Sequence, residues 1–298
     1  MSSLSEECPR GEEDEPLYQQ LVRVHAVCDT LCNRTLIPGR SKLAEWYARL
    51  ALPGASRLVR CPTIYGFDLV LDEKTCGPVY RCGFYEAGTL DIMRRVLHPG
   101  DVFVDAGASI GLMSLFASQC VGSGRVLSFE PLPLRHALLA QSIVINRRTN
   151  ITAFPFGLGA CAREISIFTD RVSPSMIPQA GSTRSELTRI ERLGDVLARE
   201  KVRTVRMLKI DVEGFELDVL RGCESWLSGR HAPVICVEYG VYPSASEPLL
   251  AFLAALPGYQ LFQLSGTKRY ASRLDQLSRA QRFRPGDNIF CIPAGISV

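Results

Sequence analysis

DVFVDAGASIGLMSLFA, residues 101–117, sets an acidic residue and two glycines between a short apolar run and a helical pattern. The run reads as a buried strand, and the residues after it as the turn and helix that open a βαβ unit. A turn of this kind is a packing device, a dinucleotide-binding loop or a cradle for another cofactor, and the rest of the chain has to decide which.

Downstream the same alternation recurs. VFVDAG, RVLSFEP, ITAFPFGL, VRMLKIDVEG, APVICVEYG, YQLFQL and NIFCIP read as strands, with IGLMSLFASQC, RHALLAQSIVINR, ELDVLRGCESWL and EPLLAFLAAL as helices. Alternating strands and helices predict an α/β fold with a mostly parallel sheet. No comparable helix separates YQLFQL from NIFCIP, so these two are expected side by side in opposite directions, which gives the sheet an antiparallel edge.

Upstream, residues 1–15 are polar and acidic and would lose chain entropy on ordering with little burial in return, so a disordered acidic tail is expected there. PLYQQLVRVHAVCDTLCNR and SKLAEWYARLAL carry apolar residues at helical spacing, separated by the Pro-Gly of TLIPGR. TIYGFDLVLDEKTCGPVYRCG alternates around turn-formers as a hairpin does, and FYEAGTLDIMRRVL returns to a helical period. The expected organisation is therefore a tail over 1–15, helices and a hairpin over 16–84, and the main α/β domain over 85–298.

With 298 residues, 46% of them hydrophobic, the chain can bury a substantial core. Its net charge of +3 comes from interleaved acids and bases, with no basic stripe for nucleic acid. The acidic start lacks the basic and apolar regions of a secretory signal, and no later stretch is long and apolar enough to span a bilayer. A soluble, cytoplasmic protein is the expectation. The 11 cysteines are scattered without C-x-x-C pairs and without histidines at zinc spacing, which fits reduced, mostly buried thiols.

In an open α/β sheet, ligands bind beyond the carboxyl ends of the strands. Those ends are here rich in acids and glycine: Asp105, Gly107 and Gly111 after the first, Glu130 after the second, Asp211 and Glu213 after the fourth, Glu238 after the fifth. A dinucleotide would want G-x-G-x-x-G with its pyrophosphate on a helix N-terminus, whereas DAGASIG offers D-x-G-x-x-x-G and a carboxylate that repels phosphate. S-adenosylmethionine, with an ammonium, a sulfonium and a ribose but no phosphate, matches this turn better. Glu130 stands where an acid can accept hydrogen bonds from two ribose hydroxyls. The packing alternative, Asp105 as a helix cap and Glu130 as a solvated strand end, leaves two acids on one rim unexplained.

HPGDVFVDAGASIGLMSLFAS, GRVLSFEPLP, MLKIDVEGFELDVLRG and VICVEYG, taken in order, resemble the successive signatures of the FkbM-type methyltransferases. The likeness runs from about Tyr85, in GFYE, to Pro293. It implies a seven-stranded Rossmann-like methyltransferase sheet with an antiparallel edge strand and S-adenosyl-L-methionine-dependent methylation of a hydroxyl oxygen. Asp105, Gly107, Ala108, Gly111 and Glu130 then correspond to cofactor-binding positions. Two positions depart from the family pattern, Ser109, where members often carry asparagine, and FPFGLGA, where small polar residues near the adenine are usual; Pro131, after Glu130, and Gly157, within FPFGLGA, still belong to the expected cofactor set. Glu86, in GFYE, and Asp211 complete the expected cofactor set.

In IDVEGFE, Asp211 and Glu213 alternate at a strand end opposite the cofactor rim, a position suited to holding an acceptor and taking its proton, with Glu238 as a third candidate catalytic carboxylate. Helix capping by Asp211, with Glu213 and Glu216 favouring the helix dipole, is the structural alternative. A divalent cation on Asp211, Glu213 and Glu238 is possible but not favoured, since VEYG brings no further Asp or Asn ligand. His98 and His136 stand outside the acidic strand ends and read as turn and helix-face residues. TDRVSPSMIPQAGSTRSEL is a lid, a substrate loop or an ordinary insertion. The arginines from Arg184 to Arg206 read as a solvated helix face.

The expected partner is a small-molecule or glycan hydroxyl acceptor, with no nucleic acid and no membrane span. An NAD-type oxidoreductase and a non-catalytic S-adenosylmethionine-binding module in an assembly remain the alternatives.

Overall fold

The computed structural model describes residues 15–33, 39–54, 56–169, 183–229, 232–265, 273–276, 284–296 and 298. The tail expected over 1–15 lies outside them except for Glu15, which opens a helix. The chain forms two compact units, Met1–Tyr85 with Ala137–Arg147, and Glu86–His136 with Arg148–Val298.

The first unit contains α1 (Glu15–Asn33), α2 (Arg40–Ala51), β1 (Val59–Pro62), β2 (Asp68–Leu71) and α3 (Glu73–Cys82). Leu21, Val24, His25, Cys28 and Cys32 are the buried face of α1, at the three- and four-residue spacing that places side chains on one side of a helix. β1 and β2 pair antiparallel, from Val59 opposite Leu71 to Pro62 opposite Asp68. The second half of the segment read as a hairpin is α3 instead. Asp72 caps it by accepting from the Thr75 backbone N–H (2.7 Å), and that cap overrides the turn-formers within. Ala137–Arg147 joins this unit through Ser142, whose hydroxyl accepts from Val70 N–H (3.0 Å), and Asn146, which exchanges hydrogen bonds with the Asp68 backbone.

The second unit begins with α4 (Ala87–Val96) and continues with β3 (Val102–Ala106), α5 (Leu112–Val121), β4 (Arg125–Phe129), the start of α6 (Pro133–Ile145) and β5 (Ile151–Phe154). After β6 (Gly157–Leu158), β7 (Arg163–Phe168), β8 (Ser185–Glu191) and α7 (Leu193–Arg199) come β9 (Met207–Ile210), α8 (Glu216–Gly222) and β10 (Val234–Tyr239). α9 (Pro243–Ala255), β11 (Tyr259–Leu264), β12 (Leu274–Gln276) and β13 (Asp287–Pro293) complete it.

Its main sheet runs β12-β11-β13-β10-β9-β3-β4-β5. β5, β4, β3, β9 and β10 are mutually parallel, and β13 is antiparallel to both β10 and β11. This is the mostly parallel α/β sheet with an antiparallel edge region that the sequence predicts. Eight strands rather than seven are present, because the short β12 adds an antiparallel edge to β11. The central strands are apolar almost throughout because both faces are covered: Phe103, Val104, Val126, Leu127, Met207, Leu208, Ile235 and Val237 are all buried.

ITAFPFGL does not form one strand. It breaks at Pro155, and β6 leaves the main sheet for a three-stranded sheet of order β6-β8-β7. Nor do the arginines after 184 share one helix face: Arg189 lies on β8, while Arg192 and Arg199 sit at the two ends of α7. Of TDRVSPSMIPQAGSTRSEL, read as a lid, a substrate loop or an ordinary insertion, residues 170–182 lie outside the described residues. The ten described cysteines are free thiols, most of them buried. No helix among the described residues is long and apolar enough to cross a membrane.

Candidate functional site

The parallel strands β3, β4, β9 and β10 end at one edge of the sheet, and the candidate residues follow from that register. Asp105 pairs across to Ser128 on one side and Lys209 on the other. Gly107 and Ala108 turn the chain out of β3, and both of their N–H groups donate to the Phe129 carbonyl (3.0 Å each). Gly107 adopts φ +81°, and a Cβ there would collide with the Asp211 carbonyl oxygen, so the two loops touch backbone to backbone. Only glycine permits both the dihedral and the approach. Gly111, at φ 97°, is the residue before α5.

Asp105 is completely enclosed. One of its oxygens accepts from the Ser114 hydroxyl (2.6 Å), which in turn contacts the Ser128 hydroxyl (2.7 Å). The other has no hydrogen-bond partner among the described residues and faces the Lys209 ammonium at 3.7 Å. Burial pushes the Asp105 carboxyl up, with Lys209 and Ser114 pulling the other way. Asp105 therefore sits beneath the glycine turn, and the cation nearest it belongs to the protein.

Lys209 is the site residue that the sequence reading passed over. Its Nζ lies 3.3 Å from Asp211 Oδ2 and donates to the Gly107 carbonyl at 3.3 Å, so a single buried ammonium ties β3, the glycine turn and the β9 loop together. Burial disfavours that charge, but Asp211, Asp105 and Glu86 outweigh burial and hold its pKa above the ordinary lysine value. A signal was available: one cation in the apolar run MLKI, two residues before Asp211, must share its side of a strand with that acid.

Glu130 is almost fully buried just past β4. Its two oxygens accept one backbone N–H each, from Ser109 (2.9 Å) and Leu132 (3.0 Å). A carboxylate has about four lone-pair sites, so each oxygen retains capacity for one more donor. Burial pushes this carboxyl up, against Arg135 and the two N–H groups. Pro131 and Gly157 come together nearby: a Cβ on Gly157 would meet the Ile190 side chain and, at 3.5 Å, Pro131, so packing accounts for that glycine.

On the other flank, Glu86, Asp211 and Glu238 each bring a carboxylate oxygen within 4.8 Å of the others. Glu86, at the N-cap of α4, is buried and accepts from Asn288 Nδ2 (3.0 Å), which also donates to Thr89 Oγ1 (2.9 Å). Asn288 is paired with Glu238 across the β10–β13 ladder, so the antiparallel strand positions two of the three acids.

Glu213 is outside this group, and its carboxylate accepts from the Tyr242 hydroxyl (3.2 Å). The grouping that hard cations could use is thus Glu86, Asp211 and Glu238, not one containing Glu213, and Lys209 already supplies a positive charge 3.3 Å from Asp211. Asp211 is not a helix cap: α8 starts at Glu216 behind Phe215. Glu216 instead folds back to accept from Val212 (3.2 Å) and Gly214 (3.0 Å) N–H, and burial raises its pKa to about 7. Beyond Glu238 lies a small, open recess lined by Glu216, Glu238, Tyr242, Ser246 and Leu249 among others.

Five described non-glycine residues have positive φ, and three of them, Glu86 (49°), Ser109 (49°) and Glu213 (55°), lie on the loops of this rim. Each such conformation costs about 1 kcal/mol or more and persists where the surroundings dictate it. His98 is exposed in the turn before β3 and His136 lies on α6, neither among the acids of the rim.

Residues 105–264 match the model of the Methyltransferase FkbM domain. The hexuronic acid methyltransferase AglP of Haloferax volcanii is 27% identical over 227 residues, covering 73% of this chain and 89% of that protein. The 31-O-demethyl-FK506 methyltransferase FkbM of Streptomyces tacrolimicus is 31% identical over 159 residues, 43% of this chain and 61% of its own length. Methyltransferase sdnD of Sordaria araneosa is 27% identical over 193 residues, 53% and 73% of the two chains.

Proposed function

Given that the chain belongs to the methyltransferase FkbM family, we propose that it transfers a methyl group from S-adenosylmethionine to a hydroxyl oxygen of a small molecule or glycan. The observation that carries this reading is Glu130: a buried carboxylate at the end of β4, fixed by two N–H groups and still able to accept from a vicinal diol. Those two acceptor oxygens fit the paired hydroxyl donors of a ribose. The acids that follow it around the rim, Glu86, Asp211 and Glu238, favour a cationic ligand over an anionic pyrophosphate. Two of the relatives are a hexuronic acid methyltransferase and a 31-O-demethyl-FK506 methyltransferase, names that fit a hydroxylated acceptor.

In this reading Glu130, Pro131 and the Gly107–Gly111 turn hold the nucleoside. Asp105 acts from below, fixing the turn through Ser114 and Lys209. When bound, the cofactor supplies an electrophilic methyl on a sulfonium. Asp211, with its side chain 27% exposed and its carboxylate held by Lys209, accepts the hydrogen bond of the acceptor hydroxyl and orients its oxygen. A carboxylate beside an ammonium is a weak base, so the proton leaves late, as the oxygen loses electron density to the methyl carbon. Glu238, within 4.8 Å of Asp211, and Glu213, on the loop after β9, are the carboxylates that receive it. Lys209 gives this acidic rim one counter-charge of its own, and these steps are carried by the chain's own side chains.

Calorimetric titration with S-adenosylhomocysteine and with NAD separates this reading from an oxidoreductase. S-adenosylhomocysteine is expected to bind and, at about a hundred times its Kd, to stabilise the fold by about 2.7 kcal/mol. Heat from NAD and none from S-adenosylhomocysteine would overturn the assignment.

A further inference from the structure

We propose that the outward face of α2 seats the protein on an anionic lipid surface. On this helix Leu43, Trp46 and Leu50, spaced i, i+3 and i+7, are 42, 61 and 68% exposed. The opposite side of α2 is already buried through Ala44 and Ala48. The helix is therefore apolar on two sides, and among the described residues only one of them is covered. A tryptophan and two leucines aligned in water are costly unless something covers them.

The charges around this stripe indicate what covers it. Lys42 and Arg49 are exposed beside the apolar residues. The single acid of α2, Glu45, is partly buried and lies 3.8 Å from Arg81, so the outward face presents cations and no free acid. The adjoining helix α1 exposes Val22, Val27 and Arg23 as well. Trp and Leu on one face with Lys and Arg along its rim is the composition of a helix that lies in a bilayer interface: the rings and alkyl groups enter the headgroup boundary, and the long basic stems reach lipid phosphates. Packing the same face of a second copy against it would bring Lys42 and Arg49 of both copies together, which like-charge repulsion opposes. Lying on the surface is also what a 12-residue helix can do, since spanning takes about 20 apolar residues.

The test is co-sedimentation of the full chain with phosphatidylcholine vesicles, with and without about 30 mol% phosphatidylglycerol. The protein is expected to pellet with the anionic vesicles, less so at high salt, and to stay in solution with phosphatidylcholine alone. Trp46→Ser/Leu50→Ser and Lys42→Glu/Arg49→Glu change exposed residues, so both should keep the wild-type Tm while binding falls about tenfold or more. No pelleting, or equal pelleting of wild type and both double variants, would overturn the proposal. So would a lipid-free dimer in sedimentation velocity that Trp46→Ser/Leu50→Ser dissociates, because the face would then belong to a second copy. Since no readout involves methyl transfer, failure here leaves the proposed activity standing, and failure there leaves this surface standing.

Discussion

Gly107→Ala is expected to abolish S-adenosylhomocysteine binding and to destabilise the fold by about 3 kcal/mol or more. Two costs add at this position. The residue sits at φ +81°, where an L side chain is strained, and its Cβ would overlap the Asp211 carbonyl oxygen, a backbone atom that cannot swing aside. Relief requires parting the loop after β3 from the loop after β9, the two that hold the cofactor cradle and the acceptor acid. Gly258→Ala isolates the first cost: Gly258 has a similar φ of +75° with nothing within 4 Å of its Cβ. It should lose about 1 kcal/mol and no ligand affinity. Thermal melts and ligand titrations on both variants give the comparison, and equal losses at the two positions would show that the loops do not need their close approach.

Lys209→Met should cost about 3–5 kcal/mol and reduce methyl transfer to background, because it leaves a fully buried Asp105 without its cation and removes the ion pair that holds Asp211. The signature is in the double variant. Adding Asp105→Asn removes the stranded charge and is expected to restore a large part of the stability, but not the activity, since the ion pair between Lys209 and Asp211 is still lost. A Tm for Lys209→Met/Asp105→Asn as low as for Lys209→Met alone would show that Lys209 stabilises by packing its stem and not by its charge. Lys209→Met with normal turnover would remove it from the site altogether.

The parts of this site that were legible in the sequence are those fixed by local pattern. VFVDA, RVLSF and VICVE are strands because a parallel strand covered on both faces must be apolar along its length, and the residue ending such a strand falls at the ligand edge by topology alone. Asp105, Glu130, Asp211 and Glu238 were found that way. What stayed hidden depends on contacts between distant segments. Asn288 holds Glu86 from 202 residues away, and no spacing within either segment announces the pair. For Lys209 the sequence carries only the spacing to Asp211, which fits a lysine pointing to water equally well, and it is the neighbours across the ladder, Asp105 among them, that show both faces to be covered. Glu216 looked like a helix-dipole residue, yet it turns back to close the loop that presents Glu213. The small sheet of β6, β7 and β8 escaped for a related reason: β6 has two residues, too few to carry a period.

Asp211 and Glu213 separate chemistry from loop architecture, and their amides give the most direct test of hydroxyl methylation at this rim. The measurement is transfer of a tritium-labelled methyl group from S-adenosylmethionine to a panel of hydroxylated acceptors, uronic acids among them, by wild type, Asp211→Asn and Glu213→Gln, each with and without a chelator. Label is expected on an acceptor oxygen, undiminished by chelator. Asp211→Asn should lower kcat about a hundredfold at unchanged S-adenosylhomocysteine affinity, and Glu213→Gln less, since Glu238 can still receive the proton. Label on nitrogen or carbon, or both amide variants turning over at the wild-type rate, would contradict this assignment.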